Sequence, residues 1–119
     1  MSESIMLEKS KDFAVEIVNA CNGIREAKRE FVMTNQLLRS GTSVGANIHE
    51  SKYAHGTADF ISKMQIALKE CYESEYWLEL LFRTQYLSAE AYAHLQTLCG
   101  SIRRMLISSI NTVKSNNVK

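Results

Sequence analysis

Several stretches hold side chains whose types and spacing could do chemistry. His49-Glu50-Ser51-Lys52-Tyr53 opens like a zinc-protease helix, which needs two histidines one turn apart with a glutamate as base. Tyr53 stands where the second histidine must be. Glu90 and His94 are four residues apart, whereas a di-iron bundle needs Glu-x-x-His on two helices so that both ligands point inward. Gly41-Thr42-Ser43-Val44-Gly45 shares its glycines with a phosphate loop, but Ala46-Asn47 follows in place of the Lys-Ser/Thr ending. Cys21, Cys71 and Cys99 are odd in number, far apart and without CxxC spacing, which indicates neither a disulfide framework nor a zinc site. Each falls on an apolar stripe, so core packing is the expected role. No catalytic residue, metal or cofactor is expected, and the chain does not read as an enzyme.

Glu75 is different. It interrupts an apolar series, Ile61, Met64, Leu68, Cys71, Leu78 and Phe82, that alternates steps of three and four like a coiled-coil seam. A carboxylate there is costly unless paired or hydrogen-bonded. No cation shares its face, so the partner must come from another helix; Arg39, Ser40 and Ser43 are the candidates. The expected role is a buried polar network that fixes helix register, with a functional carboxylate as the alternative.

The elements that must position these residues are helical. Hydrophobic residues make up 45% of the 119 and there is no proline, which favours long helices with short connections. Periodicity predicts helices over about 4–26, 31–54, 58–84 and 88–115. Met6, Ser10, Phe13, Ile17, Cys21 and Ile24 share one face of the first; Tyr92, Leu95, Cys99, Ile102, Leu106 and Val113 make the stripe of the fourth. The charged stretch 25–30 reads as a frayed end plus connection, and 115–119 as a polar tail.

In the second helix Gly41 and Gly45 either mark an interrupting loop or lie one turn apart and let another helix approach closely. The second reading is preferred, because the apolar phase of Leu37 and Leu38 continues to Val44 and Ile48 without a slip. Gly56 suits a left-handed position after that helix, with Thr57 capping the third and Asp59 in its first turn. Short links then give an all-α, antiparallel, up-down-up-down four-helix bundle in one domain, 1–119.

The C-terminal half of the third helix is apolar almost all round: Tyr72, Tyr76, Trp77, Leu78, Leu80, Leu81 and Phe82. One face can fill the bundle; another must be covered. Self-association through Tyr72, Tyr76, Trp77 and Leu80 is the expectation, and burial under flanking loops is the alternative. The net charge is +1, from 14 basic and 13 acidic residues, so any nucleic-acid binding needs segregated charge or a patch repeated around an oligomer. Lys52, Lys63, Arg103 and Arg104 are the candidate nucleic-acid contacts. No stretch is long and apolar enough for a membrane span, no signal peptide is visible, and a reducing cytoplasm is the expected home.

The run Gln36 to Ile48, with Asp59-Phe60-Ile61-Ser62-Lys63-Met64, Ile66-Ala67-Leu68-Lys69-Glu70 and Tyr76-Trp77-Leu78, resembles the four-helix-bundle proteins encoded in intervening sequences of bacterial 23S rRNA genes. The resemblance covers about Phe13 to Ile110, and the helix-two run is its most specific part. It implies an uninterrupted second helix and a homopentameric ring. A related branch, the accessory proteins of diversity-generating retroelements, forms a basic pentameric barrel that engages a reverse transcriptase and nucleic acid. The resemblance therefore implies an oligomeric scaffold, with RNA or a nucleic-acid enzyme as candidate partner; a protein-interaction module without nucleic-acid contact is the rival.

Overall fold

Apolar residues recurring every three or four positions turn inward on four helices: α1 (Ser2–Lys28), α2 (Val32–Ser51), α3 (Thr57–Arg83) and α4 (Ala89–Asn117). The computed structural model describes residues 2–117, and side chains of residues 4–116. The last part of the expected polar tail, Val118 and Lys119, lies outside the described residues; Ser115 and Asn116 are helical. α1 packs on α2 and α4, and α3 packs on the same two helices. The result is all-α, measuring 53 × 22 × 20 Å. None of the described helices is long and apolar enough to cross a membrane.

α1 buries all six residues of its stripe and adds Leu7. It does not fray at residue 25. Arg25, Glu26, Ala27 and Lys28 are strong helix formers and carry the helix two residues beyond the expected end. It stops where Arg29 turns to φ 58°, with its N–H donating to Arg25 O at 2.9 Å. Glu30 then starts α2: its carboxylate accepts the N–H groups of Val32, Met33 and Thr34 at 3.0, 2.9 and 2.9 Å. These are donors that a helix start leaves without partners.

α2 runs uninterrupted through both glycines. A Cβ on Gly41 would sit 2.9 Å from Ile17 Cγ2, and one on Gly45 would sit 3.0 Å from Ser10 Oγ. The two glycines thus admit α1 to the α2 backbone. α2 ends at Ser51 rather than near 54, because Lys52, Tyr53 and Ala54 close tight turns onto His49, Glu50 and Ser51. Gly56 does not end α2 in the left-handed helical region. It precedes α3 at φ 131° and ψ −178°, a conformation open essentially to glycine alone. Thr57 is accordingly the first helical residue and provides no side-chain cap, and Asp59 accepts the N–H of His55 at 3.0 Å.

The α3–α4 turn is closed by Leu81 O, which accepts the N–H groups of Tyr86 and Leu87 at 2.8 and 3.2 Å. Gln85 takes φ 69°. Ser88 caps α4, its hydroxyl accepting the Ala91 N–H at 3.1 Å. α4 buries Leu95, Cys99, Ile102, Leu106 and Ile110, whereas Tyr92 and Val113 are half-buried.

Candidate functional site

α3 buries Met64, Ala67, Cys71, Ser74, Leu78 and Leu81. The expected seam is shifted, so that Ile61, Leu68, Glu75 and Phe82 sit at its flank, half-buried. The buried polar residue is therefore Ser74. Its hydroxyl donates to Ser40 Oγ at 3.0 Å, and Ser40 donates in turn to Leu37 O at 3.4 Å. Both serines are fully buried, and the pair satisfies itself without any charge.

Glu75 turns away from α2 toward α4. Its carboxylate takes the Arg103 Nε–H at 2.9 Å, and its backbone carbonyl takes the Gln96 side-chain N–H at 3.2 Å. Arg39, Ser40 and Ser43 are not its partners, contrary to expectation. The reason is rotational: residue 74 points at α2 and residue 75, one step round, points at α4. Ser43 is half-buried and accepts the Asn47 side-chain amide at 3.1 Å. Arg39 lies across α3 on the other side, where it bonds Glu70 at 3.2 Å and Glu73 more closely. Glu73 also accepts the Trp77 indole N–H at 3.0 Å.

Two ion-pair clusters thus flank the outward face of α3. Bonding to Glu73 holds the Arg39 guanidinium above its ordinary range, and the same contact, followed by the Trp77 bond, holds the Glu73 carboxyl below its own. On the far flank, bonding to Glu75 raises Arg103. Between the flanks stand Tyr72 and Tyr76, 52% and 57% exposed. The Arg103 guanidinium lies 5.7 Å from the Tyr72 ring centroid, and Trp77 meets Tyr76 edge-on at 4.9 Å. Trp77 and Leu80 are half-buried within their own chain. Phe82 stacks on Tyr92 at 4.4 Å. Of the four expected interface residues, the two tyrosines remain open.

The expected nucleic-acid contacts do not form one patch of free charge. Lys63 bonds Glu50 at 3.1 Å and Arg103 bonds Glu75, so both charges are offset at close range. Lys52 is exposed beyond the end of α2. Arg104 is exposed on α4, beside a shallow groove of about 400 Å³ lined with Ser101, Met105, Ser108 and Thr112. Cys21, Cys71 and Cys99 are free and buried. Among the described residues, no group of three His, Cys, Asp or Glu side chains could hold a metal ion.

Glu70, Glu73 and Ser74 were not anticipated from sequence. For the two carboxylates the signal was the spacing Glu70, Glu73, Trp77, which lines one side of α3 at steps of three and four.

None of the curated proteins matches this chain. A solved structure from Bacteroides thetaiotaomicron VPI-5482, a protein with unknown function from the S23 ribosomal protein family, is 49% identical to it. The two superpose with a TM-score of 0.92 over 93% of this chain and 99% of that one. The surroundings of the glycine-bearing second helix and the α3 face lie inside the residues, 2–108, matched by one family model, and the chain belongs to the family it describes, that of the 23S rRNA-intervening sequence proteins.

Proposed function

We propose that this chain is a non-enzymatic scaffold whose antiparallel, up-down-up-down bundles join through the outer face of α3 into a closed ring, and that the ring serves RNA or a ribonucleoprotein as an accessory. The observation that carries this reading is the pair Tyr72 and Tyr76, left in water between two ordered ion-pair clusters. Exposed tyrosine on a rigid helix offers large contact area at low entropic cost, and aromatic residues and arginine are enriched in interfaces. The antiparallel arrangement is supported by the pairing of Ser10 with Gly45 and of Ile17 with Gly41. Five copies is the number the family resemblance suggests. Three buried free thiols fit a reducing cytoplasm.

Light scattering on the eluting protein tests the assembly. The expected mass is about five times that of the 13.5 kDa chain, and the Tyr72→Asp/Tyr76→Asp double variant should elute as a monomer with its helical signal intact. A stable wild-type monomer overturns the scaffold. The pairing of Lys63 and Arg103, with a net charge of +1, favours a second reading: a protein-interaction scaffold without nucleic-acid contact. RNA binding that weakens steeply with salt would reject it.

A further inference from the structure

The turn between α1 and α2 leaves an aromatic ring in water beside two guanidinium groups. Phe31 is 46% exposed, and the guanidinium carbons of Arg25 and Arg29 each lie 5.8 Å from its ring centroid. The ring provides no cap for α2; Glu30 does that work. Arg25 is fixed in place, its Nε donating to Thr34 Oγ1 at 3.0 Å and its Nη2 bonding Asn35 Oδ1. Arg29 holds a left-handed backbone conformation that is costly for any residue but glycine.

The acids at this turn do not cancel its cations equally. The Glu30 carboxylate is turned onto three α2 backbone N–H groups, where it balances the positive end of the helix dipole. Glu26 is exposed. Against these stand Arg25, the exposed Lys28 and the exposed Arg29. An exposed ring among cations that outnumber the available acids matches the chemistry of single-strand recognition: a base stacks on an aromatic face or a guanidinium plane while its phosphate meets a cation.

We infer that Phe31, Arg29 and Lys28 form a stacking site for a single-stranded polynucleotide. The inference rests on the nucleic-acid side of the proposed function and gives it a location other than Lys52, Lys63, Arg103 and Arg104. The site has π-faces and cations, which RNA and DNA single strands both satisfy. A duplex, whose bases are already stacked, satisfies only the cations. In a closed ring each copy brings the same turn to the same face, so several sites act on one strand.

The test is fluorescence anisotropy with the full chain, using labelled oligouridylate and oligothymidylate of about 16 nucleotides and a duplex of equal length. Both single strands should bind, more tightly than the duplex. Phe31→Tyr should keep the affinity, and Phe31→Leu should lose about 5- to 150-fold, the worth of one stacked base. Arg29→Gln should weaken binding and flatten its salt dependence. Thermal melts show that each variant is folded. If the wild type binds single strands and Phe31→Leu binds equally well, the site is wrong while the RNA reading stands. If the wild type binds neither strand, both fall. Tighter binding of polyglutamate than of either oligonucleotide makes the turn an acidic-peptide dock and also overturns the proposal.

Discussion

Alanine at Gly41 asks whether the close approach of α1 to α2 depends on an absent side chain. Replacing an interior helical glycine gains about 1 kcal/mol of helix propensity. Here the new Cβ would lie 2.9 Å from Ile17 Cγ2, 3.0 Å from Cγ1 and 3.4 Å from Cβ. Ile17 is fully buried, and a β-branched side chain in a helix keeps essentially one χ1 rotamer, so it cannot swing aside. Overpacking of this kind costs about 1–3 kcal/mol, and two crowded contacts, at 2.9 and 3.0 Å, with a side chain that cannot move put it in the upper half of that range. The net expectation is a loss of about 1–2 kcal/mol.

Gly23 is the control. It is exposed inside α1 with nothing within 4 Å of a built Cβ, so Gly23→Ala should gain about 1 kcal/mol. Ile17→Ala removes both crowding carbons at its own cost of about 2–5 kcal/mol. On that background Gly41→Ala should change sign and stabilise by about 1 kcal/mol. The resulting coupling of about 2–3 kcal/mol stands well clear of ordinary non-additivity. Urea melts followed by helical circular dichroism measure all four corners, at one protein concentration because the proposed assembly would make stability depend on it. If Gly41→Ala stabilises the wild-type chain as Gly23→Ala does, or acts alike with either residue at position 17, the close-approach argument is refuted.

Two further outcomes follow from the ionisable groups. Hydrogen bonds from Arg39 and then Trp77 hold Glu73 below the usual carboxylate range; Glu30 is held below it too, where burial pushes upward but the bonds from Met33, Thr34 and Val32 outweigh it. Their folded values lie below the unfolded value of about 4.3, so their contribution is complete above that pH and is lost as pH falls through the folded values. Unfolding free energy should therefore decline on acidification below about pH 4, and Glu73→Gln with Glu30→Gln should flatten that limb; an unaltered limb contradicts the assignment. The thiols should be silent. Burial pushes Cys21 up to about 11, a hydrogen bond involving Cys71 and then burial raise Cys99, and Cys71 is itself fully buried. A disulfide reagent at mildly alkaline pH should label all three only in denaturant, and rapid labelling of the folded chain would show that the core opens readily.

Much of the fold was legible because helical periodicity is a local property. The stripe of α1 needed only neighbours within a turn or two. The continuity of α2 was legible for the same reason: an unbroken apolar phase through Gly41 and Gly45 outweighed their poor propensity. The ends of helices were less legible. Residues 25–28 looked like a frayed end because they lack a stripe, yet their intrinsic propensity carried the helix on until Arg29 and Glu30 ended it.

The candidate site was read only in part. Tyr72 and Tyr76 could be named in advance because a helix that is apolar all round must leave one face unpaired with its own core. The partner of Glu75 could not. A rotation of one residue about the α3 axis, about 100°, decides whether a side chain meets α2 or α4. That rotation is set by how all the core side chains pack, not by the sequence near residue 75. It is what put Ser74 against Ser40, gave Arg103 to Glu75 and left Arg39 to Glu70 and Glu73.

By itself the order of residues determined that there would be four helices, that the stripe of α1 and most of that of α4 would turn inward, and where α2 could be approached closely. These are consequences of chain geometry and of burying apolar surface. Which charges pair across helices, and which rings remain in water, was decided only when the helices were packed. Ion pairs and exposure depend on distances between segments far apart in the chain, and those distances do not exist until the core has formed.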